Sequence, residues 1–177
     1  MPNWCNNLVM IKGSKEDALK VKETLAGAQT VYSFDNILPC PTALRNASSP
    51  NRNEQSIAYN KSKYGAKDWY DWCNANWGTK WDASDAIIIT DQEIDGEHHL
   101  TYQFQTAWAP PFPVHDKLAE MFPNINIFTN YDESGCDFSG WRCYQNGELI
   151  REREYDVAYY SVRTFMEPDT GVWEYLE

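Results

Sequence analysis

Leu100, Tyr102, Phe104 and Thr106 alternate with Thr101, Gln103, Gln105 and Ala107. Successive side chains of an extended backbone point to opposite faces, so this stretch is a strand with one apolar and one polar face. A half-buried strand of that kind belongs in an antiparallel sheet. Its apolar face needs a layer of helices over it, and the rest of the chain has to supply that layer.

Helical spacing occurs three times. Ser14 opens the first helix as an N-cap, with Asp17 three residues on in a capping-box arrangement. Ala18, Val21 and Leu25 form its apolar stripe, and Gly27 suits a left-handed stop. The second runs from Ala66 to Trp77, with Trp69, Cys73 and Trp77 at i, i+4 and i+8 and Trp72 off that stripe. The third starts at Pro113, turns Val114, Leu118, Met121 and Phe122 inward, and ends at Pro123.

Extended runs lie between these helices. Leu8-Val9-Met10-Ile11 is uniformly apolar and fits an interior strand covered on both faces. Val31 to Pro39 is expected to be a second strand and Ala86–Thr90 a third, followed by a turn at Asp95-Gly96. Ile125–Thr129 is the next strand. Residues 135–144 and 148–153 form a hairpin about Asn146-Gly147. From Thr42 to Ser62 the chain is rich in Asn, Ser and Pro without any period, and a mobile loop is expected there.

These elements predict one α+β domain over 1–177 with a ferredoxin-like βαββαβ sheet and helices on one face. Its core is assigned to 1–41 and 83–153. Residues 42–82 are an inserted loop and helix, and 154–177 a C-terminal extension that follows the hairpin.

The net charge is −11, but residues 1–66 carry eight basic and five acidic groups whereas 67–177 carry seven and twenty-one. Such an acidic stretch argues against binding a nucleic-acid backbone and fits docking on a basic partner surface. The five cysteines are odd in number and widely spread, without the spacing of a zinc or iron–sulfur site. They are expected to be reduced and mostly buried, and no cofactor or metal is expected. With no apolar run of ~18 residues and no export signal, a cytoplasmic protein is expected.

Two corners carry the chemistry. In Trp77-Gly78-Thr79-Lys80-Trp81-Asp82, rings bracket a lysine where helix gives way to strand. In Thr106-Ala107-Trp108-Ala109-Pro110-Pro111, a third ring stands where the strands stop. If the two corners meet, Lys80 takes a phosphate or carboxylate and Trp81 or Trp108 stacks on a base, with Thr79 and Thr106 adding hydrogen bonds. The competing arrangement is a structural clamp between Lys80 and Asp82. The expected ligand-binding residues are therefore Trp77, Thr79, Lys80, Trp81, Asp82, Thr106 and Trp108.

No nucleophile–base pair is visible, because adjacent His98 and His99 on a strand point to opposite faces. A carboxylate pair among Asp91, Glu93, Asp95, Asp132, Glu133 and Asp137 is the remaining enzymatic reading.

Four phrases, in order over residues 1–145, resemble the Api-like, or YubB-type, proteins of phages and mobile elements. Pro2-Asn3-Trp4-Cys5 with Asn7 and the run to Gly13 is the first. Phe34-Asp35-Asn36-Ile37-Leu38-Pro39-Cys40-Pro41 is the second, and the corners 76–82 and 106–111 are the third and fourth. The resemblance implies a ferredoxin-like fold and a phage, prophage or plasmid origin, and it brings no catalytic residue with it. Together these readings predict a non-enzymatic accessory protein that binds a host protein through an acidic surface. The alternative is a protein that holds a small nucleotide-type ligand in the Trp/Lys pocket.

Overall fold

The computed structural model describes residues 2–156. Their order is β1 (Trp4–Gly13), α1 (Lys15–Leu25), α2 (Thr42–Arg45), α3 (Glu54–Tyr64), α4 (Trp69–Trp77), β2 (Ser84–Ile94), β3 (Glu97–Ala107), α5 (Phe112–Met121), β4 (Asn126–Glu133), β5 (Phe138–Gln145) and β6 (Glu148–Tyr155). The strands form one sheet in the order β2-β3-β1-β4-β5-β6, with every pairing antiparallel. With α2, α3 and α4 set aside, β1-α1-β2-β3-α5-β4 is the βαββαβ unit of a ferredoxin-like fold, and β5 and β6 extend its sheet. The expected α+β architecture is present.

The register explains the two faces. Val9 lies opposite Tyr102 and Thr129, and Ile11 opposite Leu100 and Ile127. These six side chains are buried on the face that carries the helices. Leu8 and Met10 face the other way and are only half-buried, so β1 is less enclosed than its run of four apolar residues implies. Leu100, Tyr102, Phe104 and Thr106 are all buried, as their alternation requires. The two expected hairpin turns use left-handed pairs, Asp95-Gly96 at φ 51° and 86° and Asn146-Gly147 at φ 52° and 81°, which match the twist of the flanking strands.

In α1 the Asp17 N–H donates to Ser14 Oγ at 3.0 Å, and Ala18, Val21 and Leu25 are buried. The helix stops at Ala26 rather than in a left-handed Gly27, with the Ala26 N–H donating to the Lys22 carbonyl. In α5, Val114, Leu118 and also His115 are buried, but Met121 stands exposed.

Residues 31–39 are not a strand. Their backbone groups bond locally: Ser33 N–H to Leu25 O, and Ile37 and Leu38 N–H to Phe34 O. Carboxylates take two more donors, with Phe34 N–H on Asp82 at 2.7 Å and Cys40 N–H on Asp35 at 2.8 Å. Freed from a ladder, the segment sends Tyr32, Phe34 and Ile37 into the core. Tyr32 lies 4.5 Å from Phe104 and 5.0 Å from Tyr102 between ring centroids. The second strand of the motif is β2 instead.

The Asn/Ser-rich stretch holds two helices, α2 and α3, where a structureless loop is expected. In α3, Asn53 caps the N-terminus by accepting from Ser56 N–H, and Gly65 closes the helix at φ 75°. Beyond Asp156 the C-terminal extension lies outside the described residues. Among those described, no helix is long and apolar enough to cross a membrane. Cys5, Cys40, Cys73 and Cys143 are buried free thiols and Cys136 is exposed.

Candidate ligand site

The two corners meet, and Thr79 joins them. Its buried hydroxyl donates to the Ala107 carbonyl at 2.9 Å and accepts from the Ala107 N–H at 3.2 Å. Gly78, which precedes it, sits at φ 78°, and a Cβ there would come within 3.2 Å of both the Pro110 carbonyl and the Pro113 ring. Conformation and space both call for glycine, since only a residue without Cβ takes this turn freely. Thr79→Val is expected to cost about 1–3 kcal/mol by stranding a buried N–H and carbonyl, read from urea unfolding midpoints. A variant as stable as wild type would remove Thr79 as the link.

The expected ligand residues divide sharply once placed. Trp77 is buried in the core, edge-on to Phe34 and Trp72, with its indole N–H donating to the Leu38 carbonyl at 2.7 Å. Asp82 accepts from Ser33 Oγ and from Phe34 and Ala83 N–H, so it clamps residues 33–34 and not Lys80. Thr106 is buried, accepting from Asn7 Nδ2 and donating to the Ala109 carbonyl. Trp108 is 46% exposed at its corner, with φ 74° and its N–H on the Asn3 carbonyl. None of these five, Thr79 included, lines the cleft described next.

Lys80 and Trp81 do reach it. The Lys80 ammonium stands 4.0 Å from the centroid of the Trp81 ring and makes no ion pair among the described residues. Trp81 is 42% exposed and leans on Trp4 at 6.2 Å. Between this corner and the start of α4 lies an open cleft of about 390 Å³. Its other walls are Trp69, Tyr70, Lys67 and Asp68 from α4 and its cap, and Ser49 and Pro50 from the insertion.

Those far walls are held by polar ties. Asp68 is fully buried, caps α4 by accepting from Asp71 N–H, and accepts from Asn51 N–H at 3.0 Å. Asn51 and Asn60 side chains both donate to the Lys67 carbonyl. Lys67 itself pairs with Asp71 at 3.0 Å. The sequence reading missed Ser49, Pro50, Lys67, Asp68, Trp69 and Tyr70 as site residues. The available signal was a lysine and two rings in the opening turn of the helix whose other end leads to Lys80.

Three of the candidate carboxylates are engaged in structural contacts or set apart by the strand. Asp132 and Glu133 are consecutive on β4 and point to opposite faces. Burial pushes the Asp132 carboxyl above its ordinary range. Burial would also raise Glu133, but hydrogen bonds from Cys136 and Gly135 hold it low. Asp91 is engaged by Lys22 and His98, which keep it below the usual carboxylate range. His98 is buried and His99 only half-buried on the other face.

Similarity to known proteins follows the fold. The family model for the ferredoxin-like domain in Api92-like protein matches residues 76–167. The uncharacterized protein YubB of Escherichia coli (strain K12) is 28% identical over 88 residues, 49% of this chain and 57% of that protein. The chain therefore spans little more than half the length of this curated relative. The crystal structure of the protein api92 from Yersinia pseudotuberculosis superposes with a TM-score of 0.57 at 10% identity, covering 88% of this chain and 98% of that one, a likeness of fold alone. Because the family model takes in more than half of the residues, from the end of α4 through the whole C-terminal sheet, this chain belongs to the Api92-like family.

Proposed function

We propose that this protein acts by binding, and that the cleft between α4 and the Lys80–Trp81 corner holds a small planar anion of the nucleotide type. The observation that carries this reading is Lys80, a cation without a carboxylate partner among the described residues, lying on an exposed indole at the mouth of the cleft. Trp69, Tyr70 and Trp81 supply faces on which a base stacks, while Lys80 attracts its phosphate. About 390 Å³ falls within the ~300–1,000 Å³ usual for small-ligand sites. In an accessory protein of a phage or mobile element, such a site would serve to sequester a host nucleotide signal. Docking on a host protein through an acidic face is a separate activity, favoured by β2.

Calorimetry with AMP, ADP and cyclic AMP, alongside ribose 5-phosphate, tests the reading. Binding is expected for the nucleotides and not for the sugar phosphate. Lys80→Ala is expected to weaken it by roughly tenfold or more, the loss of one charged hydrogen bond. Trp81→Ala should do likewise and Trp108→Ala should leave it unchanged. No heat from any nucleotide at about 1 mM, where binding free energy is only ~4 kcal/mol, would sink the proposal, as would wild-type affinity in Lys80→Ala.

A further inference from the structure

β2 is one edge of the sheet, paired only with β3, and among the described residues nothing bonds its other side. Exposed edges invite pairing with another chain, and proteins usually guard them with short strands, lysines, prolines, bulges or charges turned inward. β2 has eleven residues and neither lysine, arginine nor proline, although its ladder with β3 shifts register between Ser84 and Ile87 and between Ile88 and Thr90, and Asp91 turns inward onto His98. It presents three isoleucines to solvent, Ile87 at 54%, Ile89 at 48% and Ile94 at 37% exposure. The opposite edge, β6, is built in the guarded way, with Arg151 and Arg153 alternating with Glu152 and Glu154. The two edges differ in that β6 alternates opposite charges, whereas the bulges and the inward Asp91 of β2 still leave its isoleucines in solvent.

The charge on β2 decides what fits it. Asp85, Asp91 and Glu93 lie on the strand and Asp95 in the turn beyond it, and no lysine or arginine occurs between Lys80 and Lys117. A second copy of β2, added antiparallel about Ile89, would bring Asp85 opposite Glu93 and Ile87 opposite Asp91. Like charges placed directly opposite destabilise a sheet, so self-pairing is disfavoured. A strand with lysine or arginine opposite the acids and β-branched residues beside the isoleucines meets both features.

We propose that β2 is a strand-addition site for a basic, extended segment of a partner protein. Main-chain hydrogen bonds would supply affinity, with the acids and the exposed isoleucines selecting the incoming side chains. The acidic C-terminal part of the chain would steer a cationic segment toward it. This site is separate from the Lys80 cleft and does not depend on the ligand reading.

The test uses the whole chain and two synthetic octapeptides with blocked ends, one alternating Lys and Val, the other Glu and Val. Binding of the Lys–Val peptide is expected to slow hydrogen exchange at β2 amides, leave β6 amides unchanged, and weaken at least about tenfold between ~0.05 M and ~0.5 M salt as charge is screened. Ile87→Lys combined with Glu93→Lys changes two solvent-facing side chains and should abolish binding while the melting temperature stays near wild type. The proposal is overturned if the Glu–Val peptide binds equally, or if protection appears away from β2. It is overturned as well if β2 is protected in a dimer of the free protein seen by sedimentation, or if neither peptide protects it.

Discussion

Trp77→Ala is expected to destabilise the protein by about 3–5 kcal/mol, the range for removing a buried tryptophan. That is a large part of the ~5–15 kcal/mol that holds a domain of this size folded. The indole fills the space between α4 and residues 34–38, edge-on to Phe34 at 5.9 Å and Trp72 at 5.8 Å. Its removal leaves a cavity and also strips the Leu38 carbonyl of its donor. Trp81→Ala, at a 42% exposed position, should cost less than about 1 kcal/mol. Urea unfolding of the two variants therefore separates two tryptophans four residues apart, one holding the fold and the other presented to ligand. Equal losses would mean that Trp81 is structural too, and the cleft would lose its stacking wall.

That separation was only half visible in the sequence. The alternation over residues 100–106 gave the buried face of β3 directly, because period-two burial leaves an unambiguous pattern. Ala18, Val21 and Leu25 did the same for α1. Helix α3 left no such trace, since its single buried residue is Asn60. It is anchored by asparagine hydrogen bonds to the Lys67 carbonyl rather than by an apolar stripe. Its caps, Asn53 and Gly65, were the only local evidence of a helix. Residues 31–39 misled in the opposite direction: they are apolar enough for a strand, yet Asp82, far along the chain, takes the Phe34 N–H, and the Ser33, Ile37 and Leu38 N–H groups bond locally instead of to a ladder.

The candidate site shows the same division. Lys80 and Trp81 were legible because a lysine between two rings at a helix–strand junction is unusual. Trp77 and Asp82 share that neighbourhood in sequence and Thr106 stands at the other corner, but all three turn inward, and the side on which a corner residue emerges depends on tertiary packing. The far walls depend on Asp68 gripping Asn51, a contact across seventeen residues that no periodicity announces. Thr79 explains why the two corners, so distant along the chain, come together at all.

His115 should make stability depend on pH in a window where carboxylates do not. It is fully buried on α5, with the Phe104 ring 6.4 Å away. Burial, reinforced by the charge of Arg142, lowers its pKa from 6.5 to about 3. Arg142 is itself placed by Glu152 at 2.8 Å and Asp116 at 3.7 Å, and it lies over the Phe112 ring. Below pH 6.5 the unfolded chain protonates this imidazole while the folded protein does not, so stability falls as pH falls, by about 1.4 kcal/mol per unit. Asp35, Asp91 and Glu133 are held below their ordinary values and contribute the same sign of change, but only as pH drops through roughly 4. Asp132 is raised and works the other way, favouring the folded state as it protonates. His99 is lowered, first by burial and then by Lys12, but it is only half-buried and its share is correspondingly small. Comparing wild type with His115→Phe removes these shared contributions. From pH 7 to pH 5 the wild type should lose about 2 kcal/mol more than the variant, measured by urea unfolding at each pH. Parallel stability curves would mean that the imidazole is protonated inside the fold, and that α5 admits a charge where its packing shows none.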